Sequence, residues 1–133
     1  MAFTLEHVQQ VRNGQPRQVG ALPDDVALRL GWPCPWVYLG KSGLEHIAAG
    51  HPDIDDFDIC WIPLAIESGL IVRLEKSPRK ALIAYRADPA RFYLGALKAA
   101  QGGTEIWVDS FYRIDRKKFD RMSGGPEVLR PHE

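Results

Sequence analysis

From Leu70 to Ile114 the chain alternates short runs rich in aliphatic, β-branched and aromatic residues with turn-forming clusters, and this pattern limits the possible folds most. The runs are Leu70 to Leu74, Arg79 to Arg86, Arg91 to Lys98 and Thr104 to Ile114. They are separated by Glu75-Lys76-Ser77-Pro78, Ala87-Asp88-Pro89 and Gln101-Gly102-Gly103. Such clusters favour turns because Pro presets φ, Gly allows positive φ, and Asp or Ser bonds its own backbone. Connections this short leave no room for a crossover, so consecutive strands must run antiparallel, as a meander.

Upstream of the meander the signals are mainly helical. Phe3 to Arg12 reads as a short helix ended by Asn13-Gly14, and Leu22-Pro23-Asp24-Asp25 as a helix start stopped by Gly31. Gln15 to Ala21 is polar and reads as a linker, and Pro33 and Pro35 make Trp32 to Trp36 an extended connector. Trp36 to Leu39 is a strand candidate. Ser42-Gly43-Leu44-Glu45 matches a capping box, which opens a helix over Gly43 to Ala49, closed by Gly50 and Pro52. A further helix has Pro63 at its first position and Gly69 after its end.

The expected fold is therefore α+β, with N-terminal helices packed on one face of a four- to five-stranded antiparallel sheet. Three regions are expected: residues 1–35 as an N-terminal extension packing through Trp32 and Trp36, 36–122 as the folded domain, and 123–133 as a flexible tail. At 133 residues and 45% hydrophobic content the chain can bury a core without staples. Cys34 and Cys60 form no CxxC pair, and the N-terminus shows no basic-then-apolar leader, so two reduced thiols in a cytoplasmic protein are expected. No apolar run approaches the about 18 residues of a membrane span, so no membrane partner is expected.

Charge is unevenly distributed. Seventeen Lys and Arg balance seventeen Asp and Glu, which argues against a broad polyanion binder. Yet Leu70 to Lys98 holds seven basic residues and two acids, whereas Gly43 to Gly69 holds six acids and no Lys or Arg. Basic strands interleaved with Tyr85, Phe92, Tyr93, Phe111 and Tyr112 suit RNA, with cations on phosphates and rings beneath bases. The acidic half suits a basic partner.

His46 and His51 are the residues most able to move protons at neutral pH. On a helix His46 lies about 200° from Leu44, away from the apolar face. The Gly50 break lets His51 fold back towards the helix end, so the two form a candidate general base and general acid. In the last strand Ile106, Val108, Ser110, Tyr112 and Ile114 share one face, and Glu105, Trp107, Asp109, Phe111 and Arg113 the other. A bulge would exchange the faces partway along. The aspartates at 53, 55, 56 and 58 lack the glycine and glutamate of a calcium loop, and Asp55 or Asp56 reads as a turn cap. His46, His51 and Asp53 are the one candidate metal set, without a supporting spacing motif.

Tyr38-Leu39-Gly40-Lys41-Ser42, then His46-Ile47 and His51-Pro52, then a second helix and four strands with Ser110-Phe111-Tyr112 in the last, form an ordered pattern. It resembles the phage- and prophage-associated branch of the barnase/EndoU/colicin/RelE fold of nucleases, over Trp36 to Met122. The resemblance implies a ribonuclease-type domain that needs no cofactor and cleaves RNA by attack of the 2′-hydroxyl on the adjacent phosphate. It implies His46 and His51 as the acid–base pair, Ser110 and Tyr112 as the Ser/Thr-x-Tyr element, and Arg86 or Lys80 as the basic residue facing the transition-state phosphate, with Lys41, beside the helix, as the alternative. Lys41, Lys80, Arg73 and Arg113 are the further expected phosphate binders. A phage or toxin effector with an immunity or antitoxin partner is the implied context. The alternatives are an inactive fold relative acting as a protein-binding module, and a metal-dependent hydrolase.

Overall fold

In a computed structural model, which describes residues 3–100 and 104–133, six helices and seven strands follow one another. The expected Gln101-Gly102-Gly103 turn lies outside the described residues. The chain opens with α1 (Leu5–Arg12), whose first turn is closed reciprocally by Thr4 and His7, and continues into β1 (Arg17–Ala21). Next comes α2 (Asp24–Leu30), which ends at Gly31 with φ of 75°, a left-handed conformation that favours glycine. β2 (Trp36–Leu39), α3 (Lys41–Gly50), α4 (Asp56–Ile59) and α5 (Ile62–Ser68) follow. The meander is β3 (Leu70–Arg73), β4 (Lys80–Asp88), β5 (Arg91–Ala99) and β6 (Ile106–Ile114), and α6 (Arg116–Ser123) and β7 (Val128–Arg130) close the chain.

The α+β class and the antiparallel meander are as expected, but the sheet is larger and mixed. Its strand order is β1-β2-β6-β5-β4-β3-β7. β2 pairs β6 in parallel, through Val37 opposite Ile106 and Tyr38 opposite Trp107. The expected four to five antiparallel strands thus become seven. The two edge strands come from segments read as linker and tail. Arg17 to Ala21 buries only Val19, and β7 is three residues long, so neither carries an alternating apolar signature. What holds them is pairing, β1 to β2 and β7 to β3. The N-terminal region does pack through Trp32, which is buried and donates its indole N–H to the Pro78 carbonyl at 3.2 Å, whereas Trp36 is exposed.

Strand alternation sends side chains to two faces. One face carries Ile83, Tyr93, Leu97, Ile106, Val108 and Phe111 into the main core with Val8, Val11, Leu44, Ile47, Ile62 and Ile66 from the helices. The opposite face carries Leu70, Ala84, Phe92 and Leu94 into a smaller cluster, closed by Phe119 of α6. Only the lower part of this second face is covered by α6. The C-terminus is fastened by Arg130. Its guanidinium donates to the carbonyls of Gly69 (2.9 Å), Glu67 (2.9 Å) and Ile66 (2.8 Å), the free acceptors at the end of α5.

Candidate functional site

The site forms where α3 meets β6. After Trp107, β6 has no further pairing with β2, and α3 approaches the strand there. The approach requires Gly43: a Cβ there would lie 2.4 Å from the Val108 carbonyl oxygen. The reciprocal cap expected of Ser42 and Glu45 is not formed. Helix α3 instead starts at Lys41, after an extended Gly40 with no side-chain cap, because Gly40 sits against the indole of Trp107. A Cβ at Gly40 would lie 3.0 Å from that ring.

Strand β6 carries a bulge. Ala96 opposes Ser110 and Leu97 opposes Val108, so Asp109 has no partner. Val108 and Phe111, three positions apart, can therefore both enter the main core. Asp109 and Ser110 fall between them and are half-buried, and Trp107, Tyr112 and Ile114 lie on the same side as Ser110. The face carrying Ser110 is thus the second sheet face.

A cleft of about 400 Å³ lies at the junction of α3 and β6. Lys41, Ser42, His46, Trp107 and Asp109 line it, with Gly14 and Pro16 from the turn before β1. His46 is exposed while its neighbours Leu44 and Ile47 are buried, as the helical phase predicts. Trp107 and Asp109 also line a second cleft of about 240 Å³, with Arg79 and Lys98. The same two residues therefore form the step between α3 and the open part of the sheet. Asp109 pairs loosely with Lys80, at 3.7 Å.

His51 leaves the helix after α3 and stacks on Tyr112, with ring centroids 4.4 Å apart and planes 12° from parallel. Lys118 of α6 places its ammonium 5.6 Å from the same tyrosine ring. Ser110, Tyr112 and His51 thus border the open sheet face, and His46 borders the cleft beside it. His46 lies on α3, whereas His51 is the residue after its end, with non-helical φ of −139° and ψ of 76°, so helical phase does not set where its ring lies. His51 is not among the residues lining the His46 cleft.

The other expected phosphate binders are elsewhere. The Arg86 backbone N–H donates to His132 Nε2 at 3.1 Å, and this residue sits about 20 Å along β4 from Lys80. Arg73 donates to the Arg29 carbonyl at the end of α2. Arg113 pairs with Asp58 at 2.9 Å on the helix-covered face. Among the described residues, no group of three or more His, Cys, Asp or Glu side chains could hold a metal ion, so His46, His51 and Asp53 form no such set.

Asp58 is the polar centre of the helical layer. It is 2% exposed, accepts from the Tyr93 hydroxyl and from Arg113, and forms a reciprocal cap on α4 with Asp55. Burial raises its carboxyl pKa, but the Asp55 backbone N–H and the Tyr93 and Arg113 donors outweigh burial and hold it below the usual range. The same contacts raise Arg113, and burial with the Asp58 bond raises the Tyr93 hydroxyl. Sequence reading missed this network, because nothing separates Asp58 from the aspartates at 53, 55 and 56 except its burial.

No protein-family model, curated protein or solved structure matches the chain.

Proposed function

We propose that this chain is a ribonuclease-type domain that binds RNA on the open part of its sheet and cleaves it at the α3–β6 junction. The observation carrying this reading is the shared step formed by Trp107 and Asp109, which joins a cleft holding an imidazole, an ammonium and a hydroxyl to a basic strand surface. These are the group types that phosphodiester cleavage needs: a proton acceptor near pH 7, a cation facing developing charge, and a surface that holds the strand.

In the proposed step the RNA 2′-hydroxyl attacks the adjacent phosphorus. Its proton passes to His46, the 2′-oxygen–phosphorus bond forms and the phosphorus–5′-oxygen bond breaks. The departing 5′-oxygen takes a proton from water, since His51 lies outside the cleft that holds His46, and the product carries a 2′,3′-cyclic phosphate. Lys41 faces the charge on the phosphate oxygens. Asp109, tied to Lys80, fixes the basic side of the step. Arg73 and Arg113 take no part, because their guanidinium bonds hold them elsewhere, and Arg86 is too far away, about 20 Å along β4 from Lys80.

The test is incubation of a labelled single-stranded RNA with the purified chain in EDTA. Cleavage leaving cyclic phosphate ends is expected. An intact substrate under conditions where the protein remains folded would overturn the reading and leave a protein-binding module in its place.

A further inference from the structure

The register of the sheet aligns four side chains in one row. Tyr38 on β2 opposes Trp107 on β6, Trp107 opposes Lys98 on β5, and Lys98 opposes Lys80 on β4. All four point away from the main core, since their neighbours Val37, Leu39, Ile106, Val108, Leu97, Ala99 and Ala81 are buried in it. At about 4.8 Å per strand, the row spans about 14 Å. Its aromatic half is already ordered: the Tyr38 and Trp107 rings lie 5.6 Å apart, and Gly40 leaves room for the indole. Its other half is cationic, with Arg79 beside it, anchored by its Nε–H to the Ala99 carbonyl at 3.1 Å.

The next row along the same face is Leu82, Ala96 and Ser110, two of them small. Beyond it stand Tyr112, His51 and Lys118. The face is therefore a shallow trough, with the aromatic–lysine row on one side and the α6 wall on the other. Aromatic rings flush with a sheet, beside cations, bind unpaired bases by stacking while the cations take the phosphates. A-form duplex keeps its base faces inside the stack and offers none to such rings.

We propose that Trp107, supported by Tyr38, is a stacking platform for an unpaired base, with Lys98 and Lys80 holding the phosphates beside it, so that this site selects single-stranded over duplex RNA. The proposal rests on the RNA reading of the same site, but it concerns binding and not the chemical step.

The experiment measures binding of a fluorescein-labelled single-stranded RNA octamer to the full chain carrying His46→Ala, so that binding is read without cleavage. Adding Trp107→Leu is expected to weaken binding about tenfold or more, as loss of one base–aromatic stack does. Trp107→Phe restores most of it. Lys98→Gln, at an exposed position, lowers the salt slope of binding by about 0.7, as loss of one single-strand phosphate contact does. An unlabelled duplex of the same sequence competes at least tenfold less well than the single strand. Octamer binding that is undetectable in the His46→Ala parent, unchanged by Trp107→Leu, or equally well competed by duplex overturns the proposal. Trp107-dependent binding in a chain that cleaves no RNA upholds the platform and removes only the cleavage reading. Unchanged far-ultraviolet circular dichroism of each variant ties any lost affinity to the trough, and Lys98→Gln carries the test should Trp107→Leu unfold.

Discussion

Two clusters in this molecule each combine a carboxylate, a cation and an aromatic ring, yet they differ in what the protein leaves unfinished. In the first, Asp58 is buried and its oxygens are bonded to Tyr93, Arg113 and the cap of α4. In the second, Asp109 is half-buried, its ion pair with Lys80 is long at 3.7 Å, and Trp107, Lys41 and His46 border open clefts. A polar group satisfied inside the fold contributes stability and has little left to offer a ligand. A group held in place with unfilled bonding capacity can serve one. The contrast separates structural from functional charge where residue type alone does not.

The largest expected difference between the clusters is in turnover. His46→Ala should lower the rate of RNA cleavage about 100-fold or more, the usual cost of losing a general acid or base. Because His46 is exposed and packs no core, the thermal midpoint should stay within about 2 °C of the parent, read by circular dichroism. A His46→Ala chain that cleaves normally would remove this cluster from the chemistry.

The next effect falls on stability. Asp58→Ala should cost about 2–4 kcal/mol in urea unfolding, because a helix cap is lost and the Tyr93 hydroxyl is left buried without its acceptor. The pH dependence has a definite sign. The Asp58 carboxyl lies below its unfolded value when folded, so its contribution is complete above that value, about 3.9. It is lost as pH falls through the lower folded value. Parent stability should decline steeply below about pH 4, and Asp58→Asn should flatten that decline. An acid limb of equal steepness in Asp58→Asn would place the acid sensitivity elsewhere.

The smallest effect tests a third environment. His132 accepts the Arg86 N–H at Nε2, while Nδ1–H donates to the Glu133 carbonyl at 2.7 Å, so the neutral ring uses both nitrogens. Burial lowers its pKa below the usual 6.5. Its stabilising contribution is thus complete above about pH 6.5 and fades as pH falls through the folded value. His132→Phe, which retains stacking on Tyr85 and contact with Phe119, should be less sensitive to pH between about 5 and 6.5. Identical pH profiles of the two proteins would exclude His132 as the source.

The meander was legible because its strands are runs of aliphatic, β-branched and aromatic residues and its turns carry their own chemistry. The helix with Pro63 and Gly69 was legible because its ends are marked. By contrast, α6 was missed because Arg116 to Ser123 is mostly charged and buries only Phe119. β1 and β7 depend on partners remote in sequence, as does the parallel β2–β6 pair. In the candidate site, His46 was found through its helical phase, and the His51–Tyr112 association joined two residues already singled out. Trp107 and Asp109 were not chosen, because their role depends on which strands lie beside them. The bulge at Asp109 could be named as a possibility but not positioned, since residue type alone does not show where the alternation of faces breaks. Arg73 and Arg113 show the converse: basic residues on the expected strands whose guanidinium bonds are directed elsewhere.

The parallel contact between β2 and β6 joins residues about 70 positions apart, and the His46 cleft lies across that seam. One wall, Lys41 to His46, belongs to the first half of the chain, and the other, Trp107 to Asp109, follows some sixty residues later. During synthesis from the N-terminus the first wall emerges long before the second exists. A nascent chain shorter than Asp109 therefore has no complete site, and any activity of this cleft begins only after β6 has been made.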